Sequence, residues 1–253
     1  MMNKPIGLFD SGVGGLSCVP AIKKLLPREQ IIFYGDTARA PYGSRSADEI
    51  TAFSLESAKL LTGKGCKLLS VGCNTISCVA LGALREAFPD VPVVGIIEPA
   101  AKEITRLCSG KRVGLIGTEA TVKSGAHEKA LIACGFKGEY FAKACPDFVP
   151  CIEAGTADGE AFEAIVRLSL DSFVKDNALD VLVLGCTHFP FIRKHIEKLY
   201  PHLTVFDPAE ALAAETKRVL EEKGLLAENS CGKDLYLASN EHETFKKFVS
   251  EIE

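Results

Sequence analysis

Two stretches of this chain echo one another: K-L-L-S-V-G-C-N-T-I-S at residues 67–77 and D-V-L-V-L-G-C-T-H-F-P at 180–190. They constrain the fold more than anything else in the sequence. Each is a short apolar run broken by Gly-Cys and then by two polar residues. Such a run predicts a strand buried on both faces of a parallel sheet, its C-terminal end opening toward a helix. Cys73 and Cys186 then stand at strand ends, the edge where open α/β sheets bind ligands. A lone buried thiol is more often core than chemistry. The same Gly-Cys-polar-polar context occurring twice points instead to a paired role at one pocket.

The rest of the chain alternates in the same way. Ile6–Phe9 reads as a strand running into D-S-G-V-G-G-L and a helix that stops at Pro27. This glycine turn matches neither G-x-G-x-x-G nor a P-loop, so it predicts close backbone approach and free N–H groups rather than a dinucleotide site. Residues 31–34 form a second strand, followed by the loop G-D-T-A-R-A-P-Y-G at 35–43, rich in turn formers. Ser46 and Glu49 read as a capping box, opening a helix through Leu61. Strand 67–72 leads to a helix through Ala87, and the strand Val91–Ile97 ends at Glu98-Pro-Ala. A second round begins at Arg112–Thr118, with Gly7 matching Val113 and Tyr34 matching Tyr140 at one common offset. The helix 158–175 matches 47–61. Residues 205–208, the helix Ala209–Lys223 capped by Gly224, a strand at 235–238 and a helix at 241–252 complete the chain. The expected fold class is α/β: two pseudo-symmetric α/β lobes with mainly parallel sheets, the site lying in the cleft between them. Residues 1–98 with 209–253 form the first lobe and 99–208 the second.

Composition removes several classes of function. A formal net charge of −4 without basic blocks leaves no footprint for nucleic acid or an anionic membrane. No apolar segment approaches membrane-spanning length and no signal-peptide pattern precedes the first strand, so a cytoplasmic protein is expected. The ten cysteines lack the spacing of a secreted disulfide framework, and reduced thiols are expected. Without a C-x-x-C pair, a thiol oxidoreductase is disfavoured, and a zinc site from Cys73, Cys78, Cys186 and His188 would need ligands from remote segments. A non-catalytic two-lobed protein that binds a small metabolite has similar lobes but no need of paired thiols. Cys18, Cys66, Cys78, Cys108, Cys134, Cys145 and Cys151 are read as structural, and His127, His195, His202 and His242 as surface or helix residues.

The groups at strand ends are small hydrogen-bonding side chains around two thiols, one His and one Asp, a set suited to a small carboxylate. The motifs G-L-F-D-S-G-V-G-G-L (7–16), Y-G-D-T-A-R-A-P-Y-G (34–43), C-N-T (73–75), G-T-E-A-T (117–121) and G-C-T-H-F-P (185–190) closely resemble those of the glutamate racemases, within the aspartate/glutamate racemase superfamily. The resemblance runs nearly the whole length. It implies cofactor-independent interconversion of L- and D-glutamate, supplying D-glutamate for peptidoglycan, in a homodimer that needs no metal. It also implies Cys73 as the acid/base acting on D-glutamate and Cys186 on L-glutamate, assisted by Asp10, His188 and Glu153. Ser11, Pro41, Tyr42, Gly43, Asn74, Thr75, Thr118, Thr121 and Thr187 carry over as substrate contacts, together with Asp10, both cysteines and His188. Lobe closure is expected to carry Tyr42 on its glycine-flanked loop. The chain starts only a few residues before the first strand, so regulation through an N-terminal extension is not expected. Aspartate racemase is the nearest alternative activity.

Overall fold

The computed structural model describes residues 2–229 and 232–252. Its strands fall into two parallel sheets. The first holds β1 (Ile6–Asp10), β2 (Ile31–Gly35), β3 (Leu68–Val71), β4 (Val93–Gly95) and β9 (Leu235–Ala238), in the order β4-β3-β1-β2-β9. The second holds β5 (Arg112–Gly117), β6 (Glu139–Ala144), β7 (Val181–Gly185) and β8 (Thr204–Phe206), in the order β6-β5-β7-β8. All pairings are parallel. In each sheet the first strand lies between the second and third, and the fourth flanks the third, so the repeated plan of the sequence is repeated topology. β9 extends only the first sheet.

The helices are α1 (Val19–Leu25), α2 (Ala47–Gly63), α3 (Asn74–Val79), α4 (Leu81–Ala87), α5 (Ile97–Leu107), α6 (Glu119–Ser124), α7 (Ala126–Ala133), α8 (Phe148–Glu153), α9 (Gly159–Asp176), α10 (Arg193–Leu199), α11 (Ala209–Glu222) and α12 (Glu243–Ile252). The capping box forms: Ser46 Oγ accepts from the Glu49 N–H at 3.3 Å, and Glu49 accepts from the Ser46 N–H at 3.0 Å. Gly224 follows α11 with φ +62°, a left-handed position that glycine takes at no steric cost. Two boundaries differ from expectation. The helix after Cys73 is interrupted at Ala80, and strand β4 is shorter than 91–97 because α5 already begins at Ile97.

β1, β3 and β7 are buried along their whole length, as consecutive apolar residues require of a strand covered on both faces. One apolar cluster runs from Leu8, Leu16 and Phe33 to Leu182, Leu184 and Phe189, joining the two sheets through a shared core. α12 packs across that junction, with Phe245 stacked on Phe33 of β2 and Phe248 on Phe191 after β7. Among the described residues no helix is long and apolar enough to cross a membrane, no disulfide forms among nine cysteines, and no cluster could hold a metal ion. The tenth cysteine, Cys231, lies outside the described residues.

Candidate active site

The C-terminal ends of β1, β3, β5 and β7 converge on a cavity of about 300 Å³. Ser11, Pro41, Tyr42, Gly43, Cys73, Asn74, Thr75, Thr118, Glu153, Cys186, Thr187 and His188 border it. Two residues singled out from the sequence stand behind this wall. Asp10 is fully buried, and Thr121 touches the site through hydroxyls, 3.4 Å from Thr75 Oγ1 and 3.0 Å from Thr118 Oγ1. Thr118 caps α6 by accepting the Thr121 N–H and meets Thr75 at 3.1 Å, so hydroxyls from both halves form one network. Thr37, Ala40 and Gly185, which lie inside the sequence motifs without having been singled out as site residues, also border the cavity, as do Val149 and Pro150.

The two thiols have different surroundings. Cys73 caps α3, with Sγ 3.4 Å from Ser11 Oγ, and Ser11 donates to Asp10 Oδ1 at 3.3 Å. With its one hydroxyl hydrogen given to Asp10, Ser11 is left to accept from the Cys73 thiol. Burial, and then the negative charge of Asp10, push the Cys73 thiol well above its usual range, so at neutral pH it holds its proton. Asp10 also accepts the Gly12 N–H at 3.0 Å and Thr187 Oγ1 at 3.0 Å, the latter from the other half of the fold. Burial raises the Asp10 pKa against these bonds and the nearby His188 charge.

Cys186 faces a cation instead. Its Sγ lies 3.8 Å from His188 Nδ1, and His188 Nε2 lies 2.6 Å from Glu153 Oε1. Burial works against the imidazolium, but the hydrogen bonds to Cys186 and Glu153 and their negative charges outweigh it, raising the His188 pKa to about 10. The imidazole reaches this position because residue 14 is glycine. A Cβ there would fall 2.5 Å from His188 Nδ1 and 2.6 Å from Thr187 Oγ1.

The loop 36–43 is held from below. The Tyr42 hydroxyl donates to Asp36 Oδ2, which also accepts Arg39 Nε at 2.6 Å, so this hydroxyl is already engaged within the loop. Tyr42 packs on Phe53, which also carries the Arg39 guanidinium. His127 lies on a helix, as expected, and is buried there at 3% exposure, with Nε2 3.0 Å from Asn74 Oδ1. α7 turns this residue toward α3, a pairing between remote segments that no local pattern encodes.

Residues 6–216 match the Asp/Glu/Hydantoin racemase family. The chain is similar to the glutamate racemase of Aquifex aeolicus, 43% identical over 87% of this chain and 84% of that one. It is also similar to the glutamate racemase of Thermus thermophilus, 41% identical over 98% and 92%. Among solved structures, the glutamate racemase of Francisella tularensis in complex with D-glutamate superposes with a TM-score of 0.91 at 31% identity, covering 100% of this chain and 94% of that one.

Proposed function

The chain belongs to the Asp/Glu/Hydantoin racemase family, and from that premise we propose that it interconverts L- and D-glutamate by a two-base reaction at the cavity of Cys73 and Cys186. The observation that carries the reading is that both thiols border one cavity, each with its own proton partner. Cys186 as thiolate, paired with the His188 imidazolium, takes the Cα hydrogen of L-glutamate as a proton. Cys73, as thiol, gives its proton to the opposite face of the same carbon. The electron pair of the broken C–H bond rests on Cα and its carboxylate and closes onto the incoming proton, giving D-glutamate. Racemisation of D-glutamate exchanges the roles: Cys73 removes the proton and Cys186 returns one.

An amino-acid Cα–H is far less acidic than a thiol, so the carbanion needs fixed donors and exclusion of water. The Asn74 carboxamide, the Thr75 and Thr118 hydroxyls and the backbone N–H groups of Tyr42 and Gly43 supply the donors, while Ser11 and Thr187, whose hydroxyl hydrogens go to Asp10, contact the substrate as neighbours of the two thiols. Asp10 and Thr121 hold those groups from behind, and Glu153 keeps His188 charged. The lobes, residues 1–98 with 209–253 and residues 99–208, close on glutamate and exclude water. The enzyme works in the cytoplasm as a homodimer, and its D-glutamate goes to peptidoglycan.

The test is incubation with either enantiomer in D2O without added cofactor, following chirality and α-deuteration. Wild type is expected to racemise and exchange. Cys73→Ser and Cys186→Ser are each expected to lose about 10²–10⁴-fold in racemisation, the contribution of a positioned acid or base. Full activity in either variant removes that cysteine from the chemistry.

A further inference from the structure

Asn74 follows Cys73 directly and borders the cavity, yet the orientation of its carboxamide is set by a residue from the other half of the fold. Oδ1 lies 3.0 Å from Nε2 of His127, on α7. Nδ2, the donor end of the same group, is buried and has no protein partner. A buried N–H without an acceptor is costly, and its presence in a residue bordering a cavity marks the place of a ligand acceptor. Burial lowers the His127 pKa to about 4, so the ring is neutral near pH 7 and carries one N–H. With Nε2 facing a carbonyl oxygen, that hydrogen is on Nε2. The other tautomer would set a nitrogen lone pair against the lone pairs of Oδ1.

We propose that His127 is a positioning residue for substrate recognition: by donating to Asn74 Oδ1 it fixes the carboxamide with its NH₂ group offered to a carboxylate oxygen of the bound amino acid. A carboxamide rotated by half a turn would present a carbonyl oxygen to that carboxylate, and would need His127 to offer a lone pair instead of a hydrogen. A donor-only NH₂ group selects an acceptor and does not serve the substrate ammonium. The bond runs from a helix beside the second sheet to one beside the first, so the orientation of Asn74 depends on the two halves being assembled.

This inference rests on glutamate being the substrate, and its test separates the two ideas. His127→Phe fills the space without a donor. It is expected to raise KM for both enantiomers about tenfold, the worth of one neutral hydrogen bond, with kcat within about threefold. His127→Gln, which can return an N–H to Asn74 Oδ1, is expected to recover most of the loss. His127→Phe added to Asn74→Ala is expected to cost nothing further. In ¹⁵N-labelled wild type at pH 7, the imidazole is expected to be neutral with its hydrogen on Nε2. A wild-type KM in His127→Phe, a Gln variant no better than Phe, or a hydrogen on Nδ1 would overturn the role. If the Phe variant does not fold, the Gln variant and the tautomer decide. Any of these failures with wild type still exchanging the α-hydrogen of glutamate sinks the positioning role alone; no exchange by wild type sinks the substrate assignment beneath it.

Discussion

Glu153 Oε1 stands 2.6 Å from His188 Nε2, on the ring nitrogen away from Cys186, so one carboxylate and one sulfur share a single buried imidazolium. Glu153→Gln removes the charge and keeps the shape. The His188 pKa then falls below its raised value of about 10. A cation with a raised folded-state pKa contributes stability in full below about 6.5, and that stability is lost as pH rises through the folded value. The alkaline limb of kcat/KM is therefore expected at lower pH in the variant than in wild type. An alkaline limb that does not move would remove Glu153 from the control of His188.

Gly14→Ala tests the close approach of the same imidazole. The new Cβ would lie 2.5 Å from His188 Nδ1 and 2.6 Å from Thr187 Oγ1, so both must shift. Displacing a reacting group by about 1 Å can cost on the order of 10²-fold, and that loss in kcat is expected. The overpacking is expected to cost about 1–3 kcal/mol in urea unfolding, with the far-ultraviolet circular dichroism retained. Wild-type turnover would show that the turn relaxes without moving His188.

His127 makes the fold sensitive to acid. Its pKa is about 4 in the folded chain and about 6.5 when unfolded, so between those values the unfolded chain binds a proton that the folded chain does not. Stability therefore falls as pH drops from about 6.5 toward 4, by up to about 3 kcal/mol from this residue. His127→Gln is expected to flatten that dependence by about 2 kcal/mol between urea titrations at pH 7 and pH 4.5. Parallel curves for the two proteins would contradict a buried neutral ring.

Lys67 and Glu29 form an ion pair at 2.6 Å, with each side chain 2% exposed. Lys67 Nζ also donates to the Leu225 carbonyl at 2.7 Å, and Glu29 Oε1 accepts the Ala227 N–H at 2.8 Å. The pair thus ties the entry to β3 to the segment after α11. Lys67→Met strands a buried carboxylate and is expected to cost about 3–5 kcal/mol. Adding Glu29→Gln removes the stranded charge but keeps an acceptor for Ala227, and most of the loss is expected to return. A double variant as unstable as the single one would show that the lysine acts through packing rather than charge.

The sequence by itself determined the local elements and their repetition. Consecutive apolar residues mark β1, β3 and β7 as strands covered on both faces, Ser46 and Glu49 mark the start of α2, and the twin Gly-Cys stretches mark the strand ends that border the cavity. Such signals survive in a linear string because strand burial, capping and turn chemistry depend on neighbours within a few positions. Only the tertiary structure decided that Thr187 bonds Asp10, that the Tyr42 hydroxyl is taken by Asp36, and that His127 turns inward onto Asn74. It likewise placed Asp10 and Thr121 behind the cavity wall rather than on it. Those contacts join residues from different loops and helices, and side-chain direction together with the packing of two sheets on one core sets which of them meet. A histidine on a helix carries no local mark of the face it buries when its partner lies on another segment, and for that reason the role of His127 was not legible before the fold was.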